Sequence, residues 1–192
     1  MVRVGYILCY RDPYYIRSVS LIRALRDCPD VQVLVARNAS KGLWRYVETW
    51  RALRYIHSTE PPDIYILGFR GHEIFWPVRL MIGGIPLVFD GLMSPYAALK
   101  EENKAGWIGK VLAPLVFWFE RHLVKRADLV LTDTHLHASR YVQTFGLAEA
   151  KLLVVPVGAI EHATVGEDDI TMAAEPFSVL FYGSFLPLHG VD

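Results

Sequence analysis

Short apolar runs recur along the chain, separated by longer segments of helical spacing. Val2–Cys9, Val31–Ala36, Ile64–Leu67, Pro86–Phe89, Leu129–Thr132 and Lys151–Val155 are rich in Val, Ile and Leu, and most are continuous rather than alternating. Strands of a parallel sheet covered on both faces require such continuity. Between them, Tyr15–Arg26 carries Ile16, Val19, Ile22 and Leu25 at helical spacing behind Pro13, and Leu43–His57 repeats Leu43, Val47, Trp50 and Leu53. Gly71–Met81, Ile108–Arg126 and His135–Phe145 complete the helices, the last closed by Gly146 as a C-cap. The alternation predicts an α/β fold: an open, doubly wound, Rossmann-like parallel sheet with helices on both faces.

After Pro156 the texture changes. Residues 163–176 (ATVGEDDITMAAEP) are acidic, rich in small side chains and closed by proline, which reads as an interdomain linker. The expected organisation is therefore a domain over 1–162, a linker over 163–176 and the beginning of a second domain over 177–192. That last stretch, FSVLFYGSFLPLHGVD, sets a strand-like run (Phe177–Tyr182) against a turn bounded by Gly183 and Gly190. A strand–turn–helix phosphate unit begins this way, and the sequence stops before the helix.

Composition narrows the class. The chain has 192 residues, 53% of them hydrophobic, and a formal net charge of zero. A large core is expected, and whole-molecule attraction to nucleic acid has no support. Two cysteines, Cys9 and Cys28, make no framework, which fits a reducing, cytoplasmic setting. MVRVGYILCY reads as a first strand rather than a signal peptide. The Trp107–Phe119 segment is interrupted by Lys110 and Pro114 and is too short to span a bilayer, so it reads as a buried helix or a monotopic contact.

Ligands of an open parallel sheet bind where the strand-end loops converge. Those loops place Arg11, Asp12, Arg70, His72, Asp90, Asp133 and Gly158 as candidate cleft residues. For Asp90, Asp133 and Thr134 the competing role is helix capping. His72 sits in a permissive Gly-Phe-Arg-Gly loop and is either a binding residue or a structural one. Arg70 fits a phosphate or carboxylate, or a solvated surface. No metal is expected: His135 and His137 point to different faces of a helix, and no metal-ligand motif is present. The first strand–helix turn lacks G-x-G-x-x-G, so a dinucleotide cofactor is not expected. Arg37, Lys41, Arg45, Arg51 and Arg54 are opposed only by Glu48 between positions 37 and 54, with Trp44, Tyr46, Trp50 and Tyr55 interleaved. This is either a core-facing helix with a solvated basic side or a peripheral contact with an anionic membrane.

Four stretches together resemble the N-terminal half of a family 4 glycosyltransferase of two-domain GT-B architecture. They are PLVFDGLMSPYAAL (86–99), ADLVLTDTHLHASRYVQTFGL (127–147), KLLVVPVGAIEH (151–162) and FSVLFYGSFLPLHGVD (177–192). The resemblance implies retaining, metal-independent transfer of a sugar from a nucleotide-sugar donor to a carbohydrate or lipid-linked acceptor. It makes the N-terminal domain the acceptor side, in the cytoplasm or at the inner face of the membrane. It assigns Gly183, Ser184, His189 and Gly190 to the donor diphosphate, with Ser184 and His189 standing where the family commonly has Arg and Lys. Val157 stands where the family usually has Asn. No catalytic residue is assigned, and the chain alone is expected to be inactive. The alternatives are a non-catalytic GT-B-like domain that binds a partner or membrane-linked acceptor, and a flavodoxin-like nucleotide-binding domain.

Overall fold

The structure is a computed structural model that describes residues 1–101 and 105–158. The linker and second-domain expectations over 163–192, with the candidates Gly183, Ser184, His189 and Gly190, lie outside the described residues. Six strands form one sheet: β1 Val2–Leu8, β2 Val31–Arg37, β3 Ile64–Leu67, β4 Leu87–Asp90, β5 Leu129–Thr132 and β6 Leu152–Val154. They run in the order β2-β1-β3-β4-β5-β6, and every neighbouring pair is parallel. The continuous apolar runs predicted this arrangement, because in a parallel sheet both faces are buried.

The helices are α1 Ile16–Arg26, α2 Trp44–Thr59, α3 Phe75–Ile82, α4 Pro95–Lys100, α5 Gly106–Arg126 and α6 His135–Phe145. The main core joins Ile7, Tyr65, Leu67, Phe89 and Val130 of the strands to Leu53, Val78, Leu123 and Phe145 of α2, α3, α5 and α6. Tyr6, Leu8 and Ile66 point to the opposite face, where they meet Ile22 and Leu25 of α1. The two faces follow from strand alternation, which sends neighbouring residues to opposite sides.

Three local departures from the sequence reading have clear causes. Pro77 has no N–H to donate to the carbonyl four residues earlier. The helix expected over Gly71–Met81 is therefore divided into a 3-10 turn, Gly71–Glu73, and α3, with Pro77 in the unpaired first turn. The short helix α4 was not anticipated, although Ser94 caps it by accepting from the Ala97 N–H at 3.1 Å and Pro95 opens it. In α1 the buried residues are Arg17, Ser18 and Ile22, while Ile16 faces outward. The apolar spacing there is overridden by a partner for Arg17 far away in sequence. Gly146 ends α6 in the left-handed region at φ 63°, as its position predicted.

Candidate functional site

The chain leaves β1 toward β2 on one side and returns to β3 on the other, so the strand order reverses between β1 and β3. In doubly wound sheets the crevice for a ligand opens at the carboxyl ends of the strands at that reversal. Three aromatic rings gather there. Tyr10 follows β1, Tyr15 precedes α1 and Phe69 follows β3. Tyr15 stacks on Phe69 with centroids 4.0 Å apart, and Tyr10 meets Phe69 edge-on at 5.0 Å. Tyr10 and Tyr15 are half-buried while Phe69 is buried beneath them. The buried Asn38 fixes the first ring by exchanging hydrogen bonds with the Tyr10 backbone, donating to its carbonyl at 2.8 Å and accepting from its N–H at 3.2 Å.

Below the rings lies a buried ion pair. The Arg17 Nε donates to both oxygens of Asp90 at 2.8 and 3.0 Å, and its Nη1 donates to the Val155 carbonyl at 3.0 Å. One guanidinium from α1 thus fastens the ends of β4 and β6. Both side chains are essentially inaccessible, 1% for Arg17 and 0% for Asp90. Burial pushes the Asp90 carboxyl up, and the Arg17 charge and hydrogen bonds pull against it. Arg17 Nη2 and the hydroxyls of Tyr6 and Ser18 are buried with no hydrogen-bond partner among the described residues. Asp90 therefore serves as the counter-ion of Arg17 and not as a helix cap.

A second buried pair occupies the other face of the sheet. His72, in the 3-10 turn after β3, packs edge-on against Phe89 at 4.8 Å. Its Nε2 faces Glu120 Oε1 of α5 across 3.9 Å, and neither atom has a hydrogen-bond partner among the described residues. Burial lowers the imidazole to about 3, with Arg70 adding to the effect. Burial raises the Glu120 carboxyl to about 7, opposed by hydrogen bonds from the Tyr96 N–H at 2.9 Å and the Ser94 hydroxyl at 3.1 Å. The turn thus holds a neutral imidazole beside a carboxyl that changes charge near neutrality.

The remaining candidates sit on the rim. Arg11 and Asp12 are exposed, and Asp12 shapes the turn before α1 by accepting from the Tyr14 N–H at 3.1 Å. Arg70 adopts φ 57°, a left-handed conformation unusual for a residue with a side chain, and its guanidinium lies 3.9 Å from Glu73. Glu73 is also held by Arg45 at 3.1 Å and by the Tyr46 hydroxyl. Thr134 caps α6 through the His137 N–H at 3.1 Å, while Asp133 Oδ1 meets the His137 ring at 2.9 Å. Burial works to raise Asp133, but the His137 ring and the backbone amides of Asp133 and Thr134 together outweigh it and leave the carboxyl below its usual range. Gly158 is exposed and lies over Ser20 of α1. Among the described residues no three His, Cys, Asp or Glu side chains converge as metal ligands do.

Strand-end position thus found His72 and Asp90 but missed their partners. Arg17 carries no local signal, since it stands inside an apolar helical pattern. Glu120 does carry one: it is the only carboxylate in a largely apolar helix. Residues 7–158 match the family model described as a glycosyl transferase 4-like domain. No match is found among curated proteins.

Proposed function

The chain belongs to the glycosyl transferase 4-like family, and on that premise we propose that its described domain is the acceptor side of a transferase that moves a sugar from a nucleotide-sugar donor to a carbohydrate or lipid-linked acceptor. The observation that carries this reading is the cluster of Tyr10, Tyr15 and Phe69 at the strand reversal, within the matched residues 7–158. The half-buried Tyr10 and Tyr15 offer ring surface on which the apolar CH face of a sugar packs, with the exposed Arg11 and Asp12 of the same loop, and Gly158 beside α1, as the groups that would hydrogen-bond its hydroxyls. Arg17–Asp90 fastens one face of this edge, and on the other Glu120 holds the start of α4 through the Ser94 hydroxyl and the Tyr96 N–H. They act as positioning residues.

Retention of configuration, independence from metal and a second, donor-holding domain beginning near Phe177 belong to the same proposal and rest on the family resemblance of the motifs. In that arrangement positive side chains and helix dipoles stabilise the departing diphosphate, and the described domain contributes the acceptor's geometry. The 192-residue chain by itself is then expected to bind a saccharide and to turn over no donor.

Saturation-transfer NMR against a panel of oligosaccharides and an isoprenoid-linked sugar, run beside a transfer assay with labelled nucleotide sugars, tests this. Saccharide contact without transfer is the expected result. Robust transfer by this chain overturns the acceptor-only reading. Absence of saccharide contact, with capture of a protein partner instead, favours a non-catalytic GT-B-like binding domain.

A further inference from the structure

Helix α5 is apolar on its solvent side, where a helix of an α/β domain ordinarily carries polar residues. Trp107 is 75% exposed, Val111 67%, Leu115 65% and Trp118 60%, with Ile108 and Leu112 beside them at 50% and 45%. At 3.6 residues per turn these six fall in one continuous band down the helix. The opposite side is the packed one, where Gly109, Ala113, Glu120 and Val124 are buried. The exposed charges of α5 are Lys110, Arg121, Lys125 and Arg126, all cationic, and its one carboxylate, Glu120, is withdrawn into the interior. Next to the band a cavity of about 480 Å³ opens between α4 and α5, with Lys100 and Lys110 at its wall and Tyr96, Pro114 and Phe117 lining it.

We propose that this face of α5 is where the domain lies on an anionic lipid bilayer. Its tryptophans and aliphatic side chains enter the boundary between headgroups and acyl chains, and its lysines and arginines meet the lipid phosphates. An amphipathic helix with bulky apolar residues on one side and only basic charge around them has the chemistry of an interfacial anchor. Tryptophan and the long stems of lysine favour that depth, with apolar body inside and polar tip outside. The charge pattern selects this occupant over a second copy of the chain. A second copy of the chain would set two cationic bands against each other, and protein interfaces are depleted in lysine. Helix α5 itself does not span, since no helix among the described residues is long and apolar enough to cross a membrane.

The basic helix α2 is the weaker surface. Arg45 is engaged by Glu73, Arg37 lies over the Tyr14 ring at 4.7 Å, and Glu48 is spent on the Ala39 and Ser40 amides. The inference about α5 does not depend on sugar transfer.

Vesicle co-sedimentation of the 192-residue chain tests it, with phosphatidylcholine vesicles and with vesicles that also contain phosphatidylglycerol. The expected result is binding to the anionic vesicles, weakened by salt, with a blue shift of tryptophan fluorescence. The combined change Trp107→Ser, Leu115→Ser and Trp118→Ser should lower partitioning by about tenfold or more. Lys110→Gln with Lys125→Gln should weaken binding to the anionic vesicles alone and flatten its salt dependence, which keeps the test decisive if the apolar variant misfolds. Arg51→Gln with Arg54→Gln on α2 should leave binding unchanged. Failure to bind either vesicle, or loss of binding through the α2 variant instead, overturns the proposal. So does sedimentation equilibrium showing a dimer that the α5 variant dissociates while vesicles are ignored.

Discussion

Glu120 and His72 oppose each other in their response to pH. The folded chain holds the Glu120 proton more tightly than the unfolded chain does, about 7 against 4.5. Its contribution to stability is fully present below pH 4.5 and is lost as the pH rises toward 7. His72 resists protonation when folded, about 3 against 6.5, so stability is lost as the pH falls from 6.5 toward 3. The two nearly cancel between about pH 4.5 and 6.5 and leave acid destabilisation below that range. Glu120→Gln keeps an acceptor for the Tyr96 amide and removes the titration. The wild-type advantage over this variant should shrink by about 3 kcal/mol between pH 4.5 and 7. Urea midpoints taken across that range measure it, and parallel profiles for the two proteins would refute the assignment. The Tyr141 phenol, raised by burial and by Glu120, titrates too high to interfere.

Arg17 reaches from α1 to β4 and β6, and this makes it the fastening of three elements rather than a surface cation. Arg17→Met leaves Asp90 buried without its counter-ion, and should cost about 3–5 kcal/mol in urea unfolding. Adding Asp90→Leu should recover part of that loss, because two apolar side chains replace a buried pair more cheaply than one unpaired charge remains. A double variant as unstable as the sum of the singles would sink the pairing. The same contact shows where sequence reading stops. The six strands were legible because buried parallel strands must be continuously apolar, and the C-cap of α6 because only glycine sits easily at φ 63°. The buried face of α1 was not, because its strongest bond is to a residue 73 positions away, which no local periodicity can register. Ser94-Pro95 did announce α4 in capping chemistry, and a lone acid in α5 marked Glu120. Those signals were present in the chain but weaker than the apolar runs around them.

The order β2-β1-β3-β4-β5-β6 decides where the molecule can bind a ligand. Ligands of such sheets bind outside the carboxyl ends of the strands, at the point where the strand order reverses. Only at the reversal between β1 and β3 do two adjacent strand ends diverge, and there the chain has placed Tyr10, Tyr15 and Phe69 over the Arg17–Asp90 pair. Phe69 is buried and stacks under Tyr15, so the rings form a supported surface rather than loose side chains. The close approach of Gly68 to Tyr6 is part of the same packing. A Cβ at Gly68 would come within 2.7 Å of the Tyr6 hydroxyl, and only glycine lets the β3 loop settle onto that ring. If the crevice receives a sugar, ring surface at its mouth must supply much of the contact. Tyr15→Ala should then lower saccharide affinity by about fivefold or more, equivalent to about 1 kcal/mol of stacking. Its thermal midpoint should stay within a few degrees of wild type, because the ring is only partly buried, at the surface of the domain. Tyr55→Ala, which removes a tyrosine that is 69% exposed on α2, should change neither quantity. Titration followed by NMR, with differential scanning fluorimetry on the same samples, separates the cases. Equal loss of affinity in both variants, or none in Tyr15→Ala, would move the binding surface away from the strand reversal.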